Sequence, residues 1–269
     1  MSIPIKLAPL PLWTDRWDEA ALRERHRRNP RQFARGFFMQ AMVDGENTFP
    51  SFEKCRQPGL VLGDLIRNSW PCFTGVDLSS TKRPGNAIVT VKLDPIQKRR
   101  FPVDIRFGRW RSNELCEAIQ QVNNQFHPAV IMVENNGYQE SLIDWVGDQK
   151  NRFDFWMKVE PTTTTSGTKA HADIGLPGLE VEFAHGAWSI PYSEYEHLTG
   201  GEGIGATNED EDEEDGAPGT LHSDWRARQW ARWDYEFRHH PMAATNDGVM
   251  ATWFARQGIE LYSGYLQPG

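Results

Sequence analysis

The sequence predicts an α/β fold: a mixed β-sheet flanked by helices, behind an N-terminal helical segment. Three observations carry this. Three strand-like runs, residues 73–78, 87–93 and 100–107, succeed one another across short turn-rich links. A helical repeat comes next, over residues 112–126, and then a short apolar run, AVIMVE at 129–134. Strands joined by short turns pair antiparallel, whereas an intervening helix allows a parallel crossover.

Residues 1–70 differ in character from the rest of the chain. Arg16, Arg23, Arg25, Arg27, Arg28, Arg31 and Arg35 crowd a helix predicted from near Asp15 to about 26–29. Pro30 interrupts it, and a second helix is predicted over 31–42. Pro50, Pro58, Gly59 and Gly63 then mark a loop-rich connector. Too few apolar positions recur here for an independent core, so this part reads as a linker.

From Trp70 the elements can be justified in turn. The links STKRPGN and DPIQK suit turns, so the first three strands are expected to form a meander. In the helix, Leu115, Ile119, Val122 and Phe126 recur at helical spacing, and Ser112 can cap its start. AVIMVE has the continuous apolar character of a strand buried on both faces, placed by the crossover beside the first strand. A helix over 138–147 and a strand over 153–159 come after it. TTTTSGTK is predicted to be a polar loop, and LEVEFAHGAWSIP a strand pair turning at His185-Gly186. Residues 199–220 are expected to form a mobile acidic loop. Two helices close the chain, over 225–238 and 247–256, with Trp230, Trp233 and Phe237 on the core face of the first.

Composition excludes little. Hydrophobic residues make up 39% of the 269 and include eleven Trp, enough for a real core. No apolar run is long enough to span a bilayer, and no signal segment follows Met1. Cys55, Cys72 and Cys116 form no CxxC pair, which argues for a reducing compartment and against a zinc knuckle. The expectation is a soluble intracellular protein. The net charge of −8 owes seven charges to residues 209–215 (EDEDEED), so the remainder is near −1 and compatible with basic patches for phosphate.

Two apolar strands end in an acid, GVD at Asp77 and IMVE at Glu134. As parallel neighbours they would emerge at one sheet edge, where like charges repel unless a cation sits between them. Asp247, opening the last helix, could complete the set. Oxygen donors without Cys or His suit Mg²⁺ or Mn²⁺. Taken singly, Asp77 also reads as a turn cap and Asp247 as a helix-dipole acid.

GVDLSS, IMVENNGYQESLIDWV and TNDGVMATWFA together resemble the three acidic motifs of the nuclease domain of tailed-phage terminase large subunits. Residues 73–258 carry this resemblance, and 1–70 resemble the linker between such a terminase's ATPase and its nuclease. The resemblance implies a ribonuclease H-like fold over 71–269, with Asp77, Glu134 and Asp247 as catalytic metal ligands. It implies two divalent ions, Mg²⁺ or Mn²⁺, and hydrolysis of double-stranded viral DNA concatemers with little sequence preference. The implied partners are the ATPase domain, the small terminase subunit and the portal, with no membrane, in the host cytoplasm. Many relatives carry two adjacent acids in the third motif, where this chain has Asn246 before Asp247; Asn246 then reads as a supporting residue. No GxxxxGK[ST] occurs, which leaves open an excised domain or a natural short form.

Lys82 and Arg83 on the turn after Asp77, with Ser79, are candidate DNA contacts, as is Lys169 in TSGTK. Asn135 and Asn136 are candidates to hold the turn after Glu134 or bond the cleaved strand. Trp230 and Trp233 at helical spacing read as core, and His239 and His240 as pointing apart. The competing readings are a resolvase- or transposase-type nuclease of the same superfamily, or a non-catalytic packaging module that docks through its arginine-rich N-terminus.

Overall fold

A computed structural model describes residues 18–28, 33, 47–78, 85–134, 157–198 and 222–265. The chain divides into two units, Met1–Glu46 and Asn47–Gly269. In the first, helix α1 (Glu19–Arg28) starts where Asp18 Oδ1 accepts the Ala21 N–H at 2.6 Å, a side-chain cap. The His26 and Phe33 rings meet edge to face at 5.3 Å. The remainder of the helix predicted over 31–42 lies outside the described residues.

The second unit begins before residue 71, because 47–70 supply core. A 3₁₀ turn, Phe52–Cys55, leads into strand β1 (Arg56–Gln57) and helix α2 (Leu62–Arg67). Phe52 stacks on Phe237 at 4.6 Å, and Phe49 packs on Phe183 and Phe237. Arg56 forks onto Asp234 with bonds of 2.6 to 2.9 Å. The boundary between units therefore falls at 46/47, where the sequence pattern puts it at 70/71. Widely spaced apolar residues look like linker because their partners lie more than a hundred positions away.

Strands β2 (Cys72–Asp77), β3 (Asn86–Leu93) and β4 (Arg100–Gly108) form the expected antiparallel meander. Helix α3 (Ser112–Phe126) then crosses to β5 (Val130–Glu134), which lies parallel to β2. Leu115, Ile119, Val122 and Phe126 are buried as their spacing requires. Arg111, not Ser112, stands at the N-cap, and its N–H donates to Glu114 Oε2 at 2.7 Å.

Strand β6 (Val159–Thr162) pairs parallel with β5 at the sheet edge. The predicted strand ends at Val159; the observed one begins there and runs through Pro161. An edge position tolerates proline, whose missing N–H costs no ladder bond on the open side. The helix predicted over 138–147 and residues 153–156 lie outside the described residues.

Helix α4 (Ser166–Ala170) lies within the predicted polar loop, with Thr165 Oγ1 accepting the Thr168 N–H. Helix α5 (Leu176–Ala184) replaces the first half of the predicted strand pair. The alternation LEVEF looks like a strand, but Leu179 and Phe183, four apart, are the buried apolar pair. The intervening acids serve tertiary donors: Glu182 accepts from Arg100, Arg256 and Trp188. After Gly186, strand β7 (Ile190–Pro191) pairs with β1. Helices α6 (His222–His239) and α7 (Asp247–Tyr265) complete the unit.

The five-stranded sheet has the order β4-β3-β2-β5-β6. Trp188, Trp230, Trp233 and Trp253 are fully buried, as read for Trp230 and Trp233. His239 Nδ1 contacts Tyr235 O and His240 Nδ1 contacts Thr48 Oγ1, so the two rings serve different partners. Among the described residues, no helix is long and apolar enough to cross a membrane.

Candidate active site

Strand geometry decides where the strand-end acids point. Side chains alternate, so Phe73, Gly75 and Asp77 share one face of β2, and Val130, Met132 and Glu134 share one face of β5. Helix α7 covers that face. A Cβ on Gly75 would lie 2.0 Å from Ala251 O and 2.4 Å from Ala255 N. A Cβ on Gly258 would lie 3.1 Å from Val130 Cγ1 and 3.2 Å from Met132 Cγ, and the Phe73 and Tyr262 rings meet at 5.2 Å. The helix thus runs back along β2, bringing its first residue, Asp247, toward the edge where β2 and β5 end.

The parallel register from Phe73↔Val130 to Val76↔Val133 makes Asp77 and Glu134 the next neighbours. Two carboxyl groups are thereby set side by side at the ends of adjacent strands. Burial pushes the Asp77 carboxyl well above the usual range; the charges of Glu134 and Asp247 push the same way, and Lys169 opposes them. Glu134 Oε1 accepts from Thr164 Oγ1 at 2.6 Å. Asp247 Oδ2 lies 3.8 Å from Arg232 Nη2, and 2.9 Å from where Gly85 would carry a Cβ.

The structure therefore brings Asp77, Glu134, Asp247 and Lys169 into one neighbourhood. Asn246 is exposed and its carbonyl accepts the Met250 N–H in the first turn of α7. Ser79, Lys82, Arg83, Asn135, Asn136 and the acidic loop 199–220 lie outside the described residues. Among the described residues, no group of three or more His, Cys, Asp or Glu side chains is close enough to hold a metal ion. What is assembled is a pair adjacent in register, Asp77 and Glu134, with the Asp247 charge acting on the Asp77 carboxyl. Its chemistry fits a hard divalent cation: oxygen donors only, and a mutual repulsion that a cation would relieve.

Sequence patterns alone did not single out Glu236, Arg232 and Thr164. Glu236 is almost fully buried, and burial first, then the Asp247 charge, push its carboxyl up to about 7 against the pull of Thr245, Arg232 and Gly248. A signal for it existed: Glu236 comes three positions after Trp233, on the apolar stripe of α6.

The fold and site together define a class. A five-stranded mixed sheet with one antiparallel hairpin side, flanked by helices, with acids at the ends of its adjacent parallel strands, is ribonuclease H-like. The solved structures this chain resembles include three viral terminase nucleases. The large terminase nuclease of thermophilic phage G20c superposes with a TM-score of 0.47 at 9% identity, covering 79% of this chain and 98% of that one. The human cytomegalovirus terminase nuclease domain, Mn-soaked and inhibitor-bound, gives 0.42 at 11%, covering 78% and 92%. The bacteriophage SPP1 large terminase nuclease domain, with bound Mn, gives 0.35 at 13%, covering 52% and 80%. No protein-family model and no curated protein matches the chain. The strand order and pairing of the sheet carry the fold.

Proposed function

We propose that the chain is a divalent-metal-dependent endonuclease domain that cuts double-stranded DNA during viral genome packaging. One observation carries the chemistry. Asp77 and Glu134 end adjacent parallel strands at neighbouring register, on the face covered by α7, whose first residue is Asp247. The packaging role is supported by the terminase-like motifs around these three acids.

Asp77, Glu134 and Asp247 would hold two Mg²⁺ or Mn²⁺ ions, whose contribution is to polarise the scissile phosphate and stabilise the leaving oxygen. The chain's own groups prepare the site. Strands β2 and β5 bring Asp77 and Glu134 side by side, and Thr164 keeps one Glu134 oxygen oriented. Lys169, with Lys82, Arg83 and Ser79 after β2, would contact phosphate, and Asn135 and Asn136 would track the strand being cut. Contact through phosphates instead of base edges gives cutting with little sequence preference. The proposed partners are DNA, a terminase ATPase, a small terminase subunit and a portal, and the proposed setting is the host cytoplasm.

Plasmid incubation with Mn²⁺ or Mg²⁺ tests this reading. Metal-dependent linearisation by the wild type, lost in Asp77→Ala, is expected. Absence of cutting by the wild type with any divalent metal would favour a docking module.

A further inference from the structure

Asp247 lies in the first turn of α7, and a fourth carboxylate holds that turn. Glu236 on α6 is 1% exposed and spends both oxygens on residues flanking Asp247. Its Oε1 accepts from Thr245 Oγ1 at 2.5 Å, and its Oε2 accepts the Gly248 N–H at 2.7 Å. That N–H is among the donors a helix cannot satisfy within its own first turn. A local Ser, Asn or Asp cap would do the same on the surface without burying a charge.

The approach is built in. A Cβ on residue 248 would lie 2.7 Å from Phe107 Cζ and 3.0 Å from both Glu236 Oε2 and Trp233 Cδ1, so only glycine lets α7 start this close to α6. Arg232, one turn earlier on α6, stands between the two acids. It is 3.7 Å from Glu236 Oε1 and 3.8 Å from Asp247 Oδ2, with its guanidinium over the Phe107 ring at 4.2 Å. Its charge offsets two carboxylates drawn into one place.

We infer that Glu236 is a positioning residue for Asp247: it holds the Thr245 hydroxyl on one side of that acid and the Gly248 backbone N–H on the other, and so sets where it stands relative to Asp77 and Glu134. This rests on reading those three acids as metal-holding. Glu236 itself need touch neither metal nor DNA, and it acts as the outer partners of metal ligands do.

The test is Mn²⁺ titration into metal-free protein, monitored by calorimetry, alongside hydrogen exchange at the Gly248 amide. Glu236→Ala is expected to weaken Mn²⁺ binding by about 10- to 100-fold and to speed Gly248 exchange, with circular dichroism unchanged. Glu236→Gln, which keeps an acceptor for the Gly248 N–H, is expected to recover most of the affinity. In an Asp247→Ala background, the effect of Glu236→Ala on affinity should vanish, because the clamp then positions nothing. If Glu236→Ala does not fold, Thr245→Val, which removes one of the two donors, should show the same Asp247-dependent loss. Wild-type affinity in the folded variant, or an equal loss without Asp247, would overturn the inference alone. No Mn²⁺ uptake by the wild type would overturn the metal reading and this inference with it.

Discussion

At Asp77 the cost of the site is carried by one side chain. Its carboxyl stands well above the usual range, through burial first and the charges of Glu134 and Asp247 next. A carboxyl raised on folding contributes stability that is complete below its unfolded value, near 4, and lost as pH rises through the folded value. Metal-free Asp77→Asn lacks this penalty and is expected to melt higher than the wild type at pH 8. Cutting by the same variant should fall roughly a thousandfold. Calorimetric scans in chelator from pH 5 to 8 check the first outcome; a variant melting no higher would contradict the burial-and-repulsion account. His240 has the opposite sign. Its ring, bonded to Thr48 at 2.8 Å and packed on Phe49, is pushed by burial down to about 4. That contribution is present above the unfolded value, near 6.5, and lost as pH falls toward 4. Between pH 7 and 4.5 the wild type should lose on the order of 2 kcal/mol more stability than His240→Gln. Denaturant melts of the two proteins measure the difference.

The element on which the site depends is α7, and its contact with β2 has no slack. Ala251 O lies 2.0 Å from where Gly75 would carry a Cβ, so Gly75→Ala must push the helix off the sheet. Overpacking of this kind costs about 1–3 kcal/mol. Because the helix carries Asp247, the same variant should lose Mn²⁺-dependent cutting beyond its loss of stability, measured well below its melting temperature. Full activity in a destabilised Gly75→Ala protein would show that the site does not need this seating. Element type was legible where pattern and environment agreed: β2 to β5 and α3 bury the residues their periodicity marks. It was misleading at α5, where acids alternating with apolar residues mimic a strand. Glu180 and Glu182 are instead acceptors for distant donors, Ser51 and Arg100 among them.

Across the whole molecule, 47–70 behave as part of the second unit. Phe49 and Phe52 join the aromatic cluster with Phe183, Trp233 and Phe237. Arg56 meets the buried Asp234 that also accepts from Tyr195 and Arg238. A chain beginning at Pro71 removes two buried aromatics, worth about 3–5 kcal/mol each, and strands Asp234 without its main counter-charge. It is expected to melt without a cooperative transition, while a chain beginning at Asn47 melts cooperatively. Parallel thermal scans of the two truncations decide this.

By itself the sequence determined the mixed sheet, the order of its central elements and the acids that end β2 and β5, because strand periodicity and turn residues act over a few neighbouring positions. It also marked Asp247, through its place at the start of an apolar helical run. Only the tertiary structure decided that these acids share one face, since that depends on the register of β2 with β5 and on where α7 lies across both. Glu236 and the aromatic anchors of 47–57 were decided there as well. A buried carboxylate or an isolated phenylalanine takes its meaning from partners remote in the chain, and only folding brings them together.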